Sequence, residues 1–104
     1  MKRLQGLLGF AAKAGALVTG SAAVEAGIRK RQVKLVICAT DLSPKTIKNF
    51  QYLCEKNGVK FCCFGSLSEL GLWVGSPGRG VIGVTTKQFA GTIGSLFIDG
   101  GEHH

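Results

Sequence analysis

Apolar residues near the start recur at Leu4, Leu7, Leu8, Ala11 and Ala12. This is the i, i+3, i+4, i+7, i+8 spacing of one helical stripe, and Gly15 supplies its stop. The stretch "ALVTGS" predicts a brief extended piece. A second helix follows over residues 21–31, where Ala22, Ala23 and Ala26 favour helix, Val24 and Ile28 share a face, and Ser21 or Thr19 is the candidate cap. "KLVICAT", residues 34–40, is a continuous apolar run rich in β-branched residues, as expected of a strand covered on both faces at the centre of a sheet. Ser43 and Pro44 read as the N-cap and first residue of a third helix, Ile47, Phe50, Leu53 and Cys54 repeat along its inner face, and Asn57-Gly58 ends it. "VKFCCF" (59–64) predicts the next strand, and Ser66 with Glu69 forms a capping box that opens a short helix ending near Gly75. "GVIGVT" (80–85) is a further strand. A last helix is expected from Lys87 to Phe97, with Phe89, Ile93, Leu96 and Phe97 inward and Gly91 and Gly94 each weakening it by roughly 1 kcal/mol.

Helix and strand thus alternate through the chain, with no repeat, linker or low-complexity segment. That alternation predicts an α/β protein, a three-layer α/β/α sandwich with a mixed central sheet of about four strands. Residues 1–98 are expected to form a single domain, with 99–104 as a short tail in which His103 and His104 carry no argument. Ligands of open sheets sit at strand ends, where connecting loops gather. The loops to inspect are therefore 39–43, 64–66 and 75–80.

Composition narrows the partners. Thirteen Lys and Arg against six Asp and Glu give 104 residues a net charge of +7, which favours polyanions such as nucleic acid. No window reaches the roughly 18 consecutive apolar residues of a membrane span. The basic, leucine-containing start is interrupted by Gln5, Gly6 and Lys13, too early for a good export signal. The expectation is a soluble, cytoplasmic protein without a membrane partner. Cys38, Cys54, Cys62 and Cys63 lack the spacing that gives one metal two neighbouring thiolates, so no metal site is expected. They read as buried, inert thiols of a reducing compartment, with Lys60 the one cation near enough to activate Cys62 or Cys63.

Catalytic parts are scarce. Outside the tail there is no histidine, and the carboxylates show no pairing motif. Asp41 is the acid in a plausible site loop, where a turn or cap before Ser43 explains it equally well. Neither a phosphate loop nor a dinucleotide fingerprint is present. We expect no enzyme and no cofactor. Gly75-Ser76-Pro77-Gly78 matches the GXXG of a KH domain, but it leads straight into a strand, so that match carries no weight. Arg29, Lys30, Arg31 and Lys34 complement the end of the second helix, and Lys45, Lys48, Lys56 and Lys60 look like a solvated face. Lys13 closes the first helix. Were it to converge with the amides after Gly20 and with Arg79, the three would form an anion site of helix-terminal amides and two cations.

Taken together, "LLGFAAKAGALVTG", "IRKRQVKLVICATDLSPKT", "ELGLWVGSPGRGVIGV" and "KQFA" resemble the kink-turn-binding ribosomal-protein family of the archaeal L-seven-Ae and eukaryotic L-thirty type, and particularly its small bacterial members. The similarity spans residues 4–97. It implies the sandwich already expected and a surface for structured RNA. Carried over position by position, Gly20 and Ser21, with Ala22 and Ala23 behind them, present backbone amides, and Lys13 contacts a phosphate. Asp41, Leu42 and Ser43 form a second edge, and Gly75, Ser76, Pro77, Gly78, Arg79 and Gly80 form the loop that covers extruded bases. The implied partner is structured RNA, ribosomal RNA included, with ribosome association and a monomeric chain.

One stretch departs from the pattern. Kink-turn binders commonly carry Asn, Glu and Lys in this helix opening, where the chain has Ala22, Ala23 and Ala26. Alanine neither accepts from nor donates to a base edge, so a weaker or altered kink-turn preference is expected. Good helix packing is the plain explanation of the alanines. Two alternatives remain open on sequence: a protein-interaction module that has lost RNA readout, and a small-molecule or anion binder using the loop from Gly78 to Gly80.

Overall fold

A computed structural model describes residues 2–101; the expected tail residues Glu102 to His104 lie outside them. The elements alternate as α1 (Lys2–Lys13), β1 (Leu17–Thr19), α2 (Ser21–Arg29), β2 (Leu35–Cys38), α3 (Pro44–Asn57), β3 (Lys60–Cys63), α4 (Leu67–Trp73), β4 (Val81–Val84) and α5 (Lys87–Gly101). The sheet order is β1-β4-β2-β3. β2 and β3 are parallel, while β4 runs antiparallel to both β1 and β2. The sheet is mixed and four-stranded, as expected.

Why β2 and β4 read as unbroken apolar runs follows from the layers. Every residue of both strands is buried, and alternate side chains serve opposite faces. Leu35 and Ile37 of β2 join Leu4 and Leu8 of α1, Leu70 of α4 and Ile93 of α5 in one core. Val36 and Cys38 join Val24 and Ile28 of α2 and Phe50, Leu53 and Cys54 of α3 in the other. Helices α1, α4 and α5 thus cover one face of the sheet, and α2 and α3 the other.

Local signals behave as their chemistry dictates. Ser43 Oγ accepts from the Thr46 amide at 3.2 Å, and Pro44 occupies the first turn. The Ser66–Glu69 capping box is complete in both directions, at 3.1 and 3.0 Å. Three expectations are corrected. Neither Ser21 nor Thr19 caps α2: Gly20 holds the N-cap position, with no side-chain hydrogen bond. Helix α2 stops at Arg29 rather than 31. Helix α5 runs beyond Phe97 to Gly101, and Gly94 within it takes part in packing. The Lys60 stem lies 3.6 Å from where a Gly94 Cβ would stand, and Nζ donates to the Gly94 carbonyl at 3.4 Å. Lys60 is exposed, as expected of a solvated face, and its stem also lies over Gly94.

All four thiols are free. Burial pushes Cys38 and Cys54 up to about 12. It pushes Cys62 up to about 11 even against the Lys60 charge, which pulls the other way, and it raises Cys63 as well. The folded state therefore favours the protonated thiols. The stability they contribute is intact below their ordinary value of 9.0 and is lost as pH climbs toward 12. An aromatic disulfide reagent at mildly alkaline pH is expected to modify the half-buried Cys63 slowly and to reach Cys38, Cys54 and Cys62 only after denaturant is added. Rapid reaction of all four thiols in the native protein would contradict this.

Candidate nucleic-acid interface

Strand direction decides which loops meet. Since β1, β2 and β3 all run against β4, their C-terminal ends share one rim with the start of β4. Backbone hydrogen bonds knit that rim together. Gly20 N–H donates to the Val81 carbonyl at 2.8 Å, Ala39 to Gly80 at 2.8 Å and Thr40 to Gly65 at 2.8 Å. Helices α2, α3 and α4 all start here, so three positive dipole ends converge.

Their N-termini are not equivalent. Ser43 satisfies α3. α4 is satisfied by its own capping box and, across 26 residues of sequence, by Asp41, whose Oδ1 accepts from the Leu67 amide at 2.8 Å. Helix α2 has only Gly20, which has no side chain to offer. Its first-turn amides at Ser21, Ala22 and Ala23 therefore have no side-chain cap. Gly20 sits at φ 95, ψ 150, a region open essentially to glycine alone. The reason is visible beside it: a Cβ there would collide with Nη1 of Arg79 and stand 3.4 Å from its Cδ and Cζ. The exposed guanidinium thus lies over the uncapped helix start. Among the described residues the one ion pair joins Arg29 to Glu25 at 3.0 Å, so no carboxylate neutralises Arg79. Uncapped amides beside a guanidinium are groups that both favour negative charge.

The glycine-rich segment owes its composition to two tight turns. Ser76 N–H donates to the Gly71 carbonyl at 2.8 Å as α4 closes, and Arg79 N–H donates to Ser76 O at 3.2 Å. In that second turn Pro77 stands first and Gly78, at φ 84, second, the arrangement of a type II turn. The turn folds back so far that a Cβ on Gly71 would lie 3.2 Å from both Gly78 N and Pro77 Cα. Between this turn and the loop after β2 a groove opens, lined by Asp41, Leu67, Ser68, Leu72, Pro77 and Gly78. Leu72 is 74% exposed there. Its lining combines two leucine side chains with the polar groups of Asp41 and Ser68, a mix that suits a ligand with an apolar face and polar edges.

The structure therefore gathers Gly20, Ser21, Ala22, Ala23, Asp41, Leu42, Ser43 and Gly75 to Gly80 around one rim. Asp41 and Ser43 frame it through the caps they form, while Leu42 packs over Gly80. Lys13 is not brought there. Thr85 N–H donates to the Ala16 carbonyl at 2.8 Å, and Leu17 pairs with Val84, so the end of α1 lies at the opposite end of the sheet. The convergence of two cations expected from sequence fails, because β1 carries the chain across the sheet between Lys13 and Gly20. Ala22, Ala23 and Ala26 are exposed; Val24, Gly27 and Ile28 do the packing, so helix packing does not explain the alanines. Sequence reasoning missed Leu67 and Leu72 as groove walls. Leu72 was detectable only as an apolar residue off the buried stripe of its helix. Among the described residues, no three His, Cys, Asp or Glu side chains gather as a metal would require, and no helix is long and apolar enough to cross a membrane.

A mixed four-stranded sheet between two helical layers, with an uncapped helix start and a glycine-rich turn at one rim, defines a class of small three-layer α/β/α sandwiches that carry their site on loops. The chain belongs to the ribosomal protein L7Ae/L30e/S12e/Gadd45 family, whose model matches residues 2–92. It is 34% identical over 90 residues to the RNA-binding protein YlxQ of Bacillus subtilis (strain 168), covering 86% of this chain and 90% of that one. Its identity to the Enterococcus faecium protein of the same name is 32% over 91 residues, covering 86% and 85%. Among solved structures, a Bacillus halodurans C protein of unknown function superposes with a TM-score of 0.88 at 32% identity, over 91% of this chain and 96% of that one. The Giardia lamblia 15.5kD RNA binding protein shares the fold with a TM-score of 0.79 at 22% identity, over 96% and 85%.

Proposed function

We propose that this protein is a non-enzymatic, cytoplasmic RNA-binding protein that recognises kink-turn-like RNA by shape and acts, as a monomer, on ribosomal or other structured RNA. The observation that carries the reading is the uncapped start of α2 beneath Arg79. Backbone amides and one guanidinium fit a phosphate at a sharp bend, and the groove beside Leu72 fits a base turned out of its stack. The family and the names of the relatives from Bacillus subtilis and Enterococcus faecium support its RNA-binding part. Exposed Ala22, Ala23 and Ala26 let an RNA backbone approach α2 closely while reading few base edges, so affinity rests on phosphates and shape.

Gel shifts at two salt concentrations with a kink-turn, a plain duplex and a kink-turn lacking its bulge test this. The kink-turn is expected to bind tightest. Equal binding of all three with a steep salt dependence would reduce the protein to a polycation. Arg79→Ala is expected to weaken kink-turn binding about tenfold and to lower the salt slope by about 1, with the fold unchanged. Unchanged affinity would remove the guanidinium from the interface. The three exposed alanines also favour one other reading, a protein-interaction module on the same fold. A stoichiometric protein copurifying in place of nucleic acid would establish that instead.

A further inference from the structure

A second groove opens beside the rim, between α2 and α3. It begins at Ser21, the first residue of α2, and is lined further on by Glu25, Lys45, Lys48 and Tyr52. Tyr52 is 59% exposed, and Lys56 Nζ stands 5.9 Å from its ring centroid. Positions 45, 48, 52 and 56 follow the i, i+3, i+7, i+11 spacing of one helical face. They track roughly 16 Å of α3 away from the rim. The groove's one carboxylate, Glu25, is held by Arg29 at 3.0 Å, which leaves the lysines dominant.

Lys56 lies in the last turn of α3, where it complements the helix dipole, but helix stability does not account for Lys45 and Lys48. The first turn of α3 contains no acid, and Lys45 there puts a cation at the positive end of the helix dipole, where it is unfavourable. The residues four positions after Lys45 and Lys48 are Asn49 and Tyr52, so neither lysine gains an acidic partner one turn on. The tyrosine is equally unexplained by packing, since Phe50 two positions earlier faces the core. An exposed aromatic ring interleaved with lysines along a groove is the arrangement that stacks an unpaired base while cations follow its phosphates.

We propose that the α2–α3 groove binds a single-stranded RNA segment leaving the rim, with one base stacked on Tyr52 and its phosphates beside Lys45, Lys48 and Lys56. The proposal rests on the RNA reading of the rim and extends it. It is tested by anisotropy titrations of a kink-turn RNA with blunt helices against the same RNA carrying a short unpaired extension on either helix. One of the two extensions is expected to tighten binding by about tenfold, the worth of one base stacked on an aromatic ring. Tyr52→Ala should erase that gain and leave the blunt RNA's affinity unchanged, whereas Tyr52→Phe should keep the gain. Equal affinity for blunt and extended RNAs, or a gain that survives Tyr52→Ala, overturns this proposal and leaves the rim reading standing. A wild-type protein that binds no kink-turn RNA at all overturns both.

Discussion

Gly20→Ala is expected to lower stability by about 1–3 kcal/mol and to weaken kink-turn binding more than Arg79→Ala does. The stability loss is a backbone effect. At φ 95, ψ 150 any Cβ strains the chain, and residues forced into such a region lose free energy of this order. The binding loss has a separate cause. The new methyl would occupy the space of Arg79 Nη1, and since arginine is flexible the guanidinium would swing away rather than break the fold. The start of α2 would then lose its cation and also be blocked by the methyl. Urea denaturation and a kink-turn titration on the same preparation separate the two effects. In the double variant the two losses should not add, because the guanidinium can be removed only once. Additive losses, or an alanine variant that binds like wild type, would break the link between Gly20 and Arg79.

Phe50→Ala should have the largest effect on stability, about 3–5 kcal/mol. Phe50 is 1% exposed and sits among Val24, Ile28, Val36 and Cys54, where α3 meets α2 and β2. Truncation leaves a cavity that surrounding strands cannot close. Against a domain stability of about 5–15 kcal/mol this is a large fraction, and a fall in Tm of 10 °C or more is expected. Tyr52→Ala on the same helix should shift Tm by little, because that ring faces solvent. Two aromatics two positions apart point about 200° apart around the helix axis, so thermal unfolding of the pair checks the assignment of one to the core and the other to the α2–α3 groove. Similar Tm values for the two variants would contradict it.

Most of the elements were legible from local patterns. Ser43-Pro44, Ser66 with Glu69, and Asn57-Gly58 each mark a helix end by hydrogen bonds made within a few residues, so no other part of the chain is needed to read them. The buried runs in β2 and β4 announced strands covered on both sides. Misreadings arose where distant residues intervened. Gly20 looks like a turn before a capped helix until Arg79 is placed against it. Asp41 looks like a local cap before Ser43 until α4 is seen to use its carboxylate. Gly94 looks like a weak point in α5 until the Lys60 stem fills the space beside it.

The amino-acid order alone determined the elements, the three layers and the basic character of the surface, since periodicity, capping and charge act between near neighbours. Only the tertiary structure decided that Lys13 lies at the far end of the sheet while Gly20, Asp41 and Arg79 share one rim. Which end of the sheet a loop occupies depends on strand order and direction, and those are set by pairing between residues as distant as Leu17 and Val84.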